Sequence, residues 1–173
     1  MRKIVITGAP GTGKTTIMNQ LKKGGYNCVE EISREIIAEE IINGGDCLPW
    51  KNLIKFSEKI FTLRESQFVN CTKNISFFDR GLIDVYAYMK TDKIEIPQYF
   101  IDSIKEKKYE NLVFYTPIWE DIFSNDEERK EDIEQAKMIE ENIKNSYLKF
   151  GYNLIKIPKG TISERVNFIL SKL

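Results

Sequence analysis

Short apolar runs alternate with longer segments of helical periodicity along the 173-residue chain. A short apolar run is typical of a strand that is buried on both faces, whereas apolar residues spaced by three and four positions indicate an amphipathic helix. Strands are predicted at residues 3–7, 26–30, 75–78, 111–115 and 152–157. Because helical segments separate these runs, the sequence predicts an α/β fold with a parallel sheet covered by helices on both faces. Ligands bind such sheets at the carboxyl ends of the strands.

Helices are predicted at residues 14–23, 33–43, 97–107 and 129–150, with a long helix that Pro49 opens and another through residues 86–89. The last helix has the clearest signal, because Thr161 and Glu164 have the spacing of a capping box. The apolar residues of this segment that would share one face are Val166, Ile169, Leu170 and Leu173. No repeat, low-complexity tract or linker divides the chain, so we predict a single domain over residues 1–173.

The sequence GAPGTGKTT directly follows the first predicted strand and precedes a helix, and it matches the phosphate-loop pattern G-x-x-x-x-G-K-[ST]. Glycines let the backbone turn its N–H groups inward, and the following helix adds the positive end of its dipole. Lys14 is predicted to reach the β- and γ-phosphates of a nucleotide, and Thr15 to place its hydroxyl on Mg²⁺. The predicted nucleotide-binding residues are Gly8, Ala9, Pro10, Gly11, Thr12, Gly13, Lys14, Thr15 and Thr16.

A glycine-rich turn with a surface lysine is the alternative interpretation of this stretch. From ordinary residue abundances, the four fixed positions would coincide by chance in about one chain of this length per hundred or fewer. The position between a strand and a helix makes chance coincidence rarer still. The phosphate loop is therefore the strongest signal in the sequence.

The third predicted strand ends in Asp79, and Arg80 follows it. Asp79 is predicted to hold the water shell of Mg²⁺ beside the phosphate loop, although it could instead cap a helix. A site that activates water usually gains from a carboxylate at the next position, and a guanidinium cannot accept a proton. Arg80 could clamp an anionic acceptor or stabilise charge on the transferred phosphoryl group, unless it merely pairs with a nearby acid. This residue favours transfer to another molecule over transfer to water.

The second predicted strand runs into the sequence EEISRE. If that strand points into the same crevice, Glu31 is a candidate base for an acceptor hydroxyl and Arg34 a second contact for an anion. A solvated helix face, rich in such residues, remains an equal alternative.

Composition removes several classes of partner and chemistry. The 26 basic residues equal the 26 acidic ones, so nothing indicates a nucleic-acid partner, and no apolar run is long enough for a membrane span. The N-terminus resembles no signal peptide, and three cysteines suit reduced, buried thiols, so we expect a cytoplasmic protein. The chain has no histidine, which leaves proton transfer near neutral pH to carboxylates or less usual groups.

Five stretches together resemble a family of small AAA-like P-loop ATPase and kinase domains: ITGAPGTGKTT, VEEISRE, FFDRGLID, DEERKE and IPKGTISERVNFIL. That family groups near the nicotinamide riboside kinase domain and, more distantly, thymidylate and deoxynucleoside kinases. The resemblance covers residues 3–170, and only the phosphate loop is highly specific. It implies a P-loop NTPase three-layer sandwich with a five-stranded parallel sheet in the order 2-3-1-4-5. It also implies a lid between the fourth strand and the long helix.

The same resemblance assigns roles to particular residues. It identifies Asp79 and Arg80 as the acid–arginine pair of the third strand and Glu31 as the acid of the second. Asp84, one helical turn after Arg80, joins Arg34 and Arg80 as a candidate substrate contact. The remaining assignments are Arg129 as the lid arginine and Gly160, within residues 157–161, as part of the turn against the adenine. The lid candidate SNDEERKED has few cations for a nucleotide-kinase lid, and a solvated acidic loop is the alternative.

These observations favour a kinase that binds Mg·ATP and transfers the γ-phosphoryl group to a small nucleoside- or nucleotide-like acceptor. Lys14 and Arg129 would neutralise charge, and Glu31 would align or deprotonate the acceptor. An AAA-like ATPase and a non-catalytic nucleotide sensor remain alternatives, while the lack of [NT]-K-x-D disfavours a GTPase. Candidate residues for the acceptor pocket are Trp50, Phe56, Tyr86 and Tyr88, each of which fits a core equally well. The sequence predicts no oligomeric state.

Overall fold

The computed structural model describes residues 1–119 and 133–173, and within them one parallel sheet of five strands forms the centre. The strands are β1 (Arg2–Thr7), β2 (Asn27–Val29), β3 (Ile75–Asp79), β4 (Leu112–Tyr115) and β5 (Asn153–Lys156). Their order is β2-β3-β1-β4-β5, and every neighbouring pair is parallel. The predicted α/β class and strand order are therefore confirmed.

Helices cover both faces of this sheet. They are α1 (Lys14–Lys23), α2 (Ser33–Ile42), α3 (Leu53–Asn70), α4 (Leu82–Thr91), α5 (Gln98–Glu106), α6 (Ile133–Lys149) and α7 (Ile162–Leu170). Successive strand residues point to opposite faces, so Phe77 and Phe78 of β3 lie in different apolar layers. The layer shared with α1 and α7 includes Ile4, Ile6, Ile17, Leu21, Phe77, Phe114, Val166 and Ile169. The opposite layer includes Val5, Phe61, Phe78, Leu82, Phe100, Val113, Ile143 and Tyr147.

Local capping explains where the helices agree with the sequence pattern and where they do not. The Thr161 hydroxyl accepts a hydrogen bond from the Glu164 N–H, and the Glu164 carboxylate accepts one from the Thr161 N–H, which confirms the predicted capping box. The helix predicted to open at Pro49 begins later, because the Asn52 side chain caps it by accepting from the N–H of Lys55. The predicted start of the helix at residues 129–150 and the candidate lid lie outside the described residues.

The sheet order places the end of β3 beside the end of β1. Ile6 is paired with Asp79 in the β1–β3 register, and Thr7 with Tyr115 in the β1–β4 register. β1 continues into α1 on one face of the sheet, whereas its neighbour β3 continues into α4 on the opposite face. Ligands bind open parallel sheets where neighbouring connections diverge in this way. Within the described ranges, no helix is both long and apolar enough to cross a membrane.

Candidate active site

The loop between β1 and α1 has a backbone that requires glycine. Gly8, Gly11 and Gly13 have φ angles of 143°, 73° and 81°, which L-residues with a side chain rarely adopt. At Gly8 a Cβ atom would also lie 2.5 Å from the carbonyl oxygen of Thr116, which follows β4. The glycine pattern recognised in the sequence therefore corresponds to a tight loop that packs directly against the neighbouring strand.

Lys14 lies inside this loop and not on its surface. Its Nζ atom donates hydrogen bonds to the carbonyl oxygens of Gly8 at 3.0 Å and Ala9 at 2.7 Å. Burial, reinforced by the positive charge of Arg80, lowers the pKa of Lys14 to about 7. A bound phosphate would favour the charged form of this lysine, because a nearby opposite charge stabilises the ammonium group.

Two oxygen-bearing side chains flank the loop and fit a magnesium ion. Asp79 is buried, and its Oδ1 atom has no hydrogen-bond partner among the described residues. Burial raises the pKa of Asp79, and the nearby cations, of which Lys14 acts most strongly, do not fully offset this effect. Thr15 is exposed at the start of α1. Mg²⁺ prefers such hard oxygen ligands and usually completes its shell with water and substrate phosphates.

Glu31 lies between two arginines, the buried Arg64 and the partly buried Arg80. Its Oε1 atom is 2.5 Å from Nη2 of Arg64, and its Oε2 atom is 2.7 Å from Nε of Arg80. Burial alone would raise the pKa of the Glu31 carboxyl, but the two guanidiniums outweigh it and hold the pKa at about 2. Ser33 adds hydrogen bonds from its N–H and hydroxyl. Glu31 is therefore a charged anchor and a weak proton acceptor in this conformation.

Arg80 connects the carboxylates of the cleft to the phosphate loop. Its Nη1 atom donates to the carbonyl oxygen of Gly8 at 2.9 Å, and its guanidinium lies over the Tyr88 ring. Its own φ angle is 72°, a left-handed conformation that is unfavourable for a residue with a side chain. Such strain persists only where surrounding contacts impose it, and one of them is the hydrogen bond from the Arg80 N–H to the carbonyl oxygen of Ile6.

Asp84 is 1% exposed, and both of its carboxylate oxygens are occupied by protein groups. Oδ2 accepts from the Gly81 N–H at 2.7 Å and from the Tyr147 hydroxyl at 2.6 Å. Oδ1 accepts from the Thr7 hydroxyl and lies 3.4 Å from Nη1 of Arg80. In this arrangement Asp84 fixes Arg80 and the start of α4, and the predicted contact with substrate stays a prediction.

A single cleft of about 1000 Å³ joins these groups. One end contains the phosphate loop and the turn at Gly160 that was predicted to lie against the adenine. The other end extends between α2, α3 and α4, where its wall includes Arg34, Ile37, Trp50, Leu53, Phe56 and Tyr88. The structure therefore brings most of the predicted site residues together. Tyr86 belongs instead to the apolar core, with 4% of its surface exposed.

The sequence did not indicate two arginines of the cleft wall, Arg64 and Arg165. Arg64 is 3% exposed and reaches Glu31, whereas Arg165 is 2% exposed and donates from Nη2 to the carbonyl oxygen of Thr12 at 3.2 Å. Both arginines occupy the apolar face of their helix, where a charged residue is unusual. Their position on the apolar face is the signal from which the sequence could have indicated a role for these two arginines. Arg129, the predicted lid arginine, lies outside the described residues.

A family model described as AAA domain matches residues 3–165. The chain belongs to this AAA domain family. No curated protein matches its sequence.

Solved structures with a similar fold include several kinases. Deoxyadenosine kinase from M. mycoides with bound dATP superposes with a TM-score of 0.73 at 21% identity, covering 99% of this AAA domain chain and 98% of that one. NadR protein in complex with NR gives a TM-score of 0.77 at 19% identity, over 99% of this chain and 50% of that one. Thymidylate kinase from Ehrlichia chaffeensis gives a TM-score of 0.66 at 14% identity, over 99% of this chain and 97% of that one. The similarity to a small P-loop kinase domain, indicated by the sequence motifs, is confirmed for the fold.

Proposed function

We propose that this AAA domain protein is a kinase that binds Mg·ATP and transfers the γ-phosphoryl group to a small nucleoside- or nucleotide-like acceptor. The observation that carries the proposal is the continuity of the cleft. The phosphate loop and the compartment between α2, α3 and α4 share one cavity, with Arg80 lining it between them. A donor and an acceptor in one cavity can meet without water between them, which is how kinases limit hydrolysis.

The donor end supports ATP as the phosphoryl donor. The inward-folded Lys14 and the glycine-dependent loop form a site for phosphate oxygens, and the turn at Gly160 lines the same end of the cleft. Thr15 and Asp79 would hold Mg²⁺, which when bound neutralises phosphate charge. Binding of dATP by the M. mycoides kinase is consistent with a purine nucleotide in this position.

The acceptor end supports a small planar molecule that carries polar or anionic groups. Aromatic and aliphatic side chains form one wall, and the guanidiniums of Arg34 and Arg80 lie in the same lining. Because Glu31 is held ionised by two arginines, we assign it to aligning the acceptor through Arg80 and not to removing a proton. Arg34, Arg80 and Asp84 stay the candidate substrate contacts, and Arg129 the candidate lid residue.

The test is an assay of ADP release from Mg·ATP with a panel of nucleosides, nucleoside monophosphates and nicotinamide riboside, with product masses measured. Acceptor-stimulated release with a phosphorylated product is the expected result. Release that is independent of any acceptor would contradict the kinase and support an ATPase. Nucleotide binding without any release would contradict both enzymes and support a nucleotide sensor.

A further inference from the structure

Arg64 contacts three of the groups on which the candidate active site depends. It lies in the fourth turn of α3, and its side chain is buried. Nη2 is 2.5 Å from Oε1 of Glu31, and Nη1 donates to the carbonyl oxygens of Asp79 at 3.1 Å and Arg80 at 3.3 Å. One side chain thus connects α3, which lines the acceptor compartment, to the residues that follow β2 and end β3.

The contacts at the end of β3 fall on the strained part of the backbone. Arg80 adopts its left-handed conformation directly after the predicted metal ligand Asp79. The Nη1 atom of Arg64 donates to the carbonyl oxygens of both Asp79 and Arg80, which lie on either side of the Arg80 N–H and Cα, while that N–H is bonded to the carbonyl oxygen of Ile6. Lysine could not make the same contacts, because its single ammonium nitrogen cannot replace both Nη1 at these carbonyl oxygens and Nη2 at the Glu31 carboxylate.

Arg64 also acts on Arg80 indirectly, through the Glu31 carboxylate. Glu31 holds Arg80 through Oε2 while Arg64 holds Glu31 through Oε1, so the carboxylate is fixed from both sides. Other charged groups act on Glu31 from a longer distance, namely Lys14 of α1 and Asp79 of β3. Arg64 and Arg80 are the strongest opposing charges, and they hold the pKa of the Glu31 carboxyl low despite its burial.

Stability alone gives a poor reason for a buried arginine at this position. Removing a guanidinium from water is unfavourable, and well-packed apolar residues of similar size often serve a core as well or better. The Nε atom of Arg64 is buried and lacks a hydrogen-bond partner within the described part of the chain, which adds to that penalty. All three of its hydrogen-bonded partners belong to residues predicted to act in catalysis.

We infer that Arg64 is a positioning residue for phosphoryl transfer, which acts by fixing the Glu31 carboxylate and the Asp79–Arg80 backbone relative to the phosphate loop. The inference rests on the proposed kinase function for its effect on rate, but the geometry it describes can be measured without activity. Arg64 does not itself need to touch either substrate.

The test compares Arg64→Met and Arg64→Lys with the matched control Lys59→Met on the same helix. Lys59 pairs with Glu40 away from the cleft, so its loss tests removal of a cation from α3 alone. We expect Arg64→Met to keep its nucleotide affinity by calorimetry, since the phosphate loop is untouched. We expect its kcat to fall about 10²-fold, the effect of a misplacement of about 1 Å. Arg64→Lys should recover only part of this loss, and Lys59→Met should match the wild type.

The second readout is the titration of the Glu31 carboxyl, followed by NMR. In Arg64→Met its midpoint should rise by about one pH unit or more, because one of two neighbouring opposite charges is gone. In Arg64→Lys it should stay close to the wild-type midpoint, because the charge remains. The acid limb of the kcat profile in Arg64→Met should move in the same direction.

The outcomes separate the two proposals. An unchanged kcat per folded molecule, or an unmoved Glu31 midpoint in Arg64→Met, would overturn the positioning role. Failure of both variants to fold would overturn it in favour of a purely structural role. If the wild type itself transfers no phosphoryl group, the proposed function fails, while the Glu31 titration still decides whether Arg64 controls this carboxylate.

Discussion

Arg80 and Glu31 meet across the ends of two neighbouring strands, with Nε of the arginine 2.7 Å from Oε2 of the glutamate. Neither strand alone would create this pair, since the residues are far apart in sequence and only the β2–β3 pairing brings them together. The same guanidinium contacts the carbonyl oxygen of Gly8 in the phosphate loop. Arg80 therefore connects Glu31 to the phosphate loop, and in the proposed kinase it would couple the acceptor side of the cleft to the donor side.

This coupling predicts that the shape of the Arg80 guanidinium matters beyond its charge. Arg80→Lys keeps the charge but cannot contact Gly8 and Glu31 at once with the same geometry. We expect kcat for acceptor-stimulated transfer to fall by roughly 10²–10³, the usual effect of losing one group that stabilises transition-state charge. Nucleotide affinity, measured by calorimetry, should change little. A variant with the wild-type kcat would contradict this assignment.

Among these variants, Lys14→Ala is expected to lose the most activity. Lys14→Ala removes the ammonium group that lies within the phosphate loop, so ADP release should be abolished whether the enzyme transfers to an acceptor or to water. Lys23→Ala is the matched control, because Lys23 is an exposed lysine at the other end of the same helix. Undiminished ADP release in Lys14→Ala would refute the nucleotide site.

Substitution of Gly8 tests the backbone shape of the phosphate loop without changing its charge. Gly8→Ala should strain the backbone at φ 143° and drive its Cβ into the carbonyl oxygen of Thr116. Gly151 also has a positive φ, of 83°, but a Cβ there meets no atom within 4 Å, so Gly151→Ala reports the strain of a positive φ alone, about 1–2 kcal/mol. We expect Gly8→Ala to lose more stability than this in urea unfolding and to lose nucleotide binding as well. Equal behaviour of the two variants would contradict the close packing of the loop against Thr116.

The fold and the phosphate loop could be predicted because their signals are local. The apolar run of residues 3–7 and the GAPGTGKTT loop each carry their pattern within a few positions. Helix boundaries were less certain. Pro49 suggests a helix start by composition, yet the Asn52 side chain supplies the cap in the structure.

The second half of the candidate site depends on contacts that no local pattern contains. The sequence identified Glu31 and Arg80 as candidate site residues. It did not predict that Glu31 is held ionised by both Arg80 and a third residue, Arg64, which comes from a helix elsewhere in the chain. Arg165 reaches Thr12 across a still longer separation. A sequence pattern can show that such an arginine lies on an apolar helix face, but only tertiary packing selects its partner.

The charge of Glu31 predicts how stability depends on pH. Burial opposes ionisation of this carboxyl, yet Arg64 and Arg80 hold its folded-state pKa at about 2, below the value of about 4.3 for an unfolded glutamate. A group whose folded pKa is depressed stabilises the fold above its unfolded pKa, and this contribution is lost as the pH falls toward the folded value. The shift corresponds to a contribution on the order of 3 kcal/mol at neutral pH.

Glu31→Gln should therefore unfold at lower urea concentration than the wild type at pH 7, and the difference should narrow from about pH 5 toward pH 2. Burial raises the pKa of Asp79 in both proteins, and the Glu31 charge raises it further in the wild type alone, so the Asp79 contribution partly offsets the measured difference. Glu30→Gln is the neighbouring control, because Glu30 is exposed and its ion pair with Lys22 lies on the surface. That variant should differ from the wild type by less than about 1 kcal/mol throughout. If the stability difference between Glu31→Gln and the wild type stays constant between pH 7 and pH 3, the two guanidiniums do not control the pKa of this carboxyl.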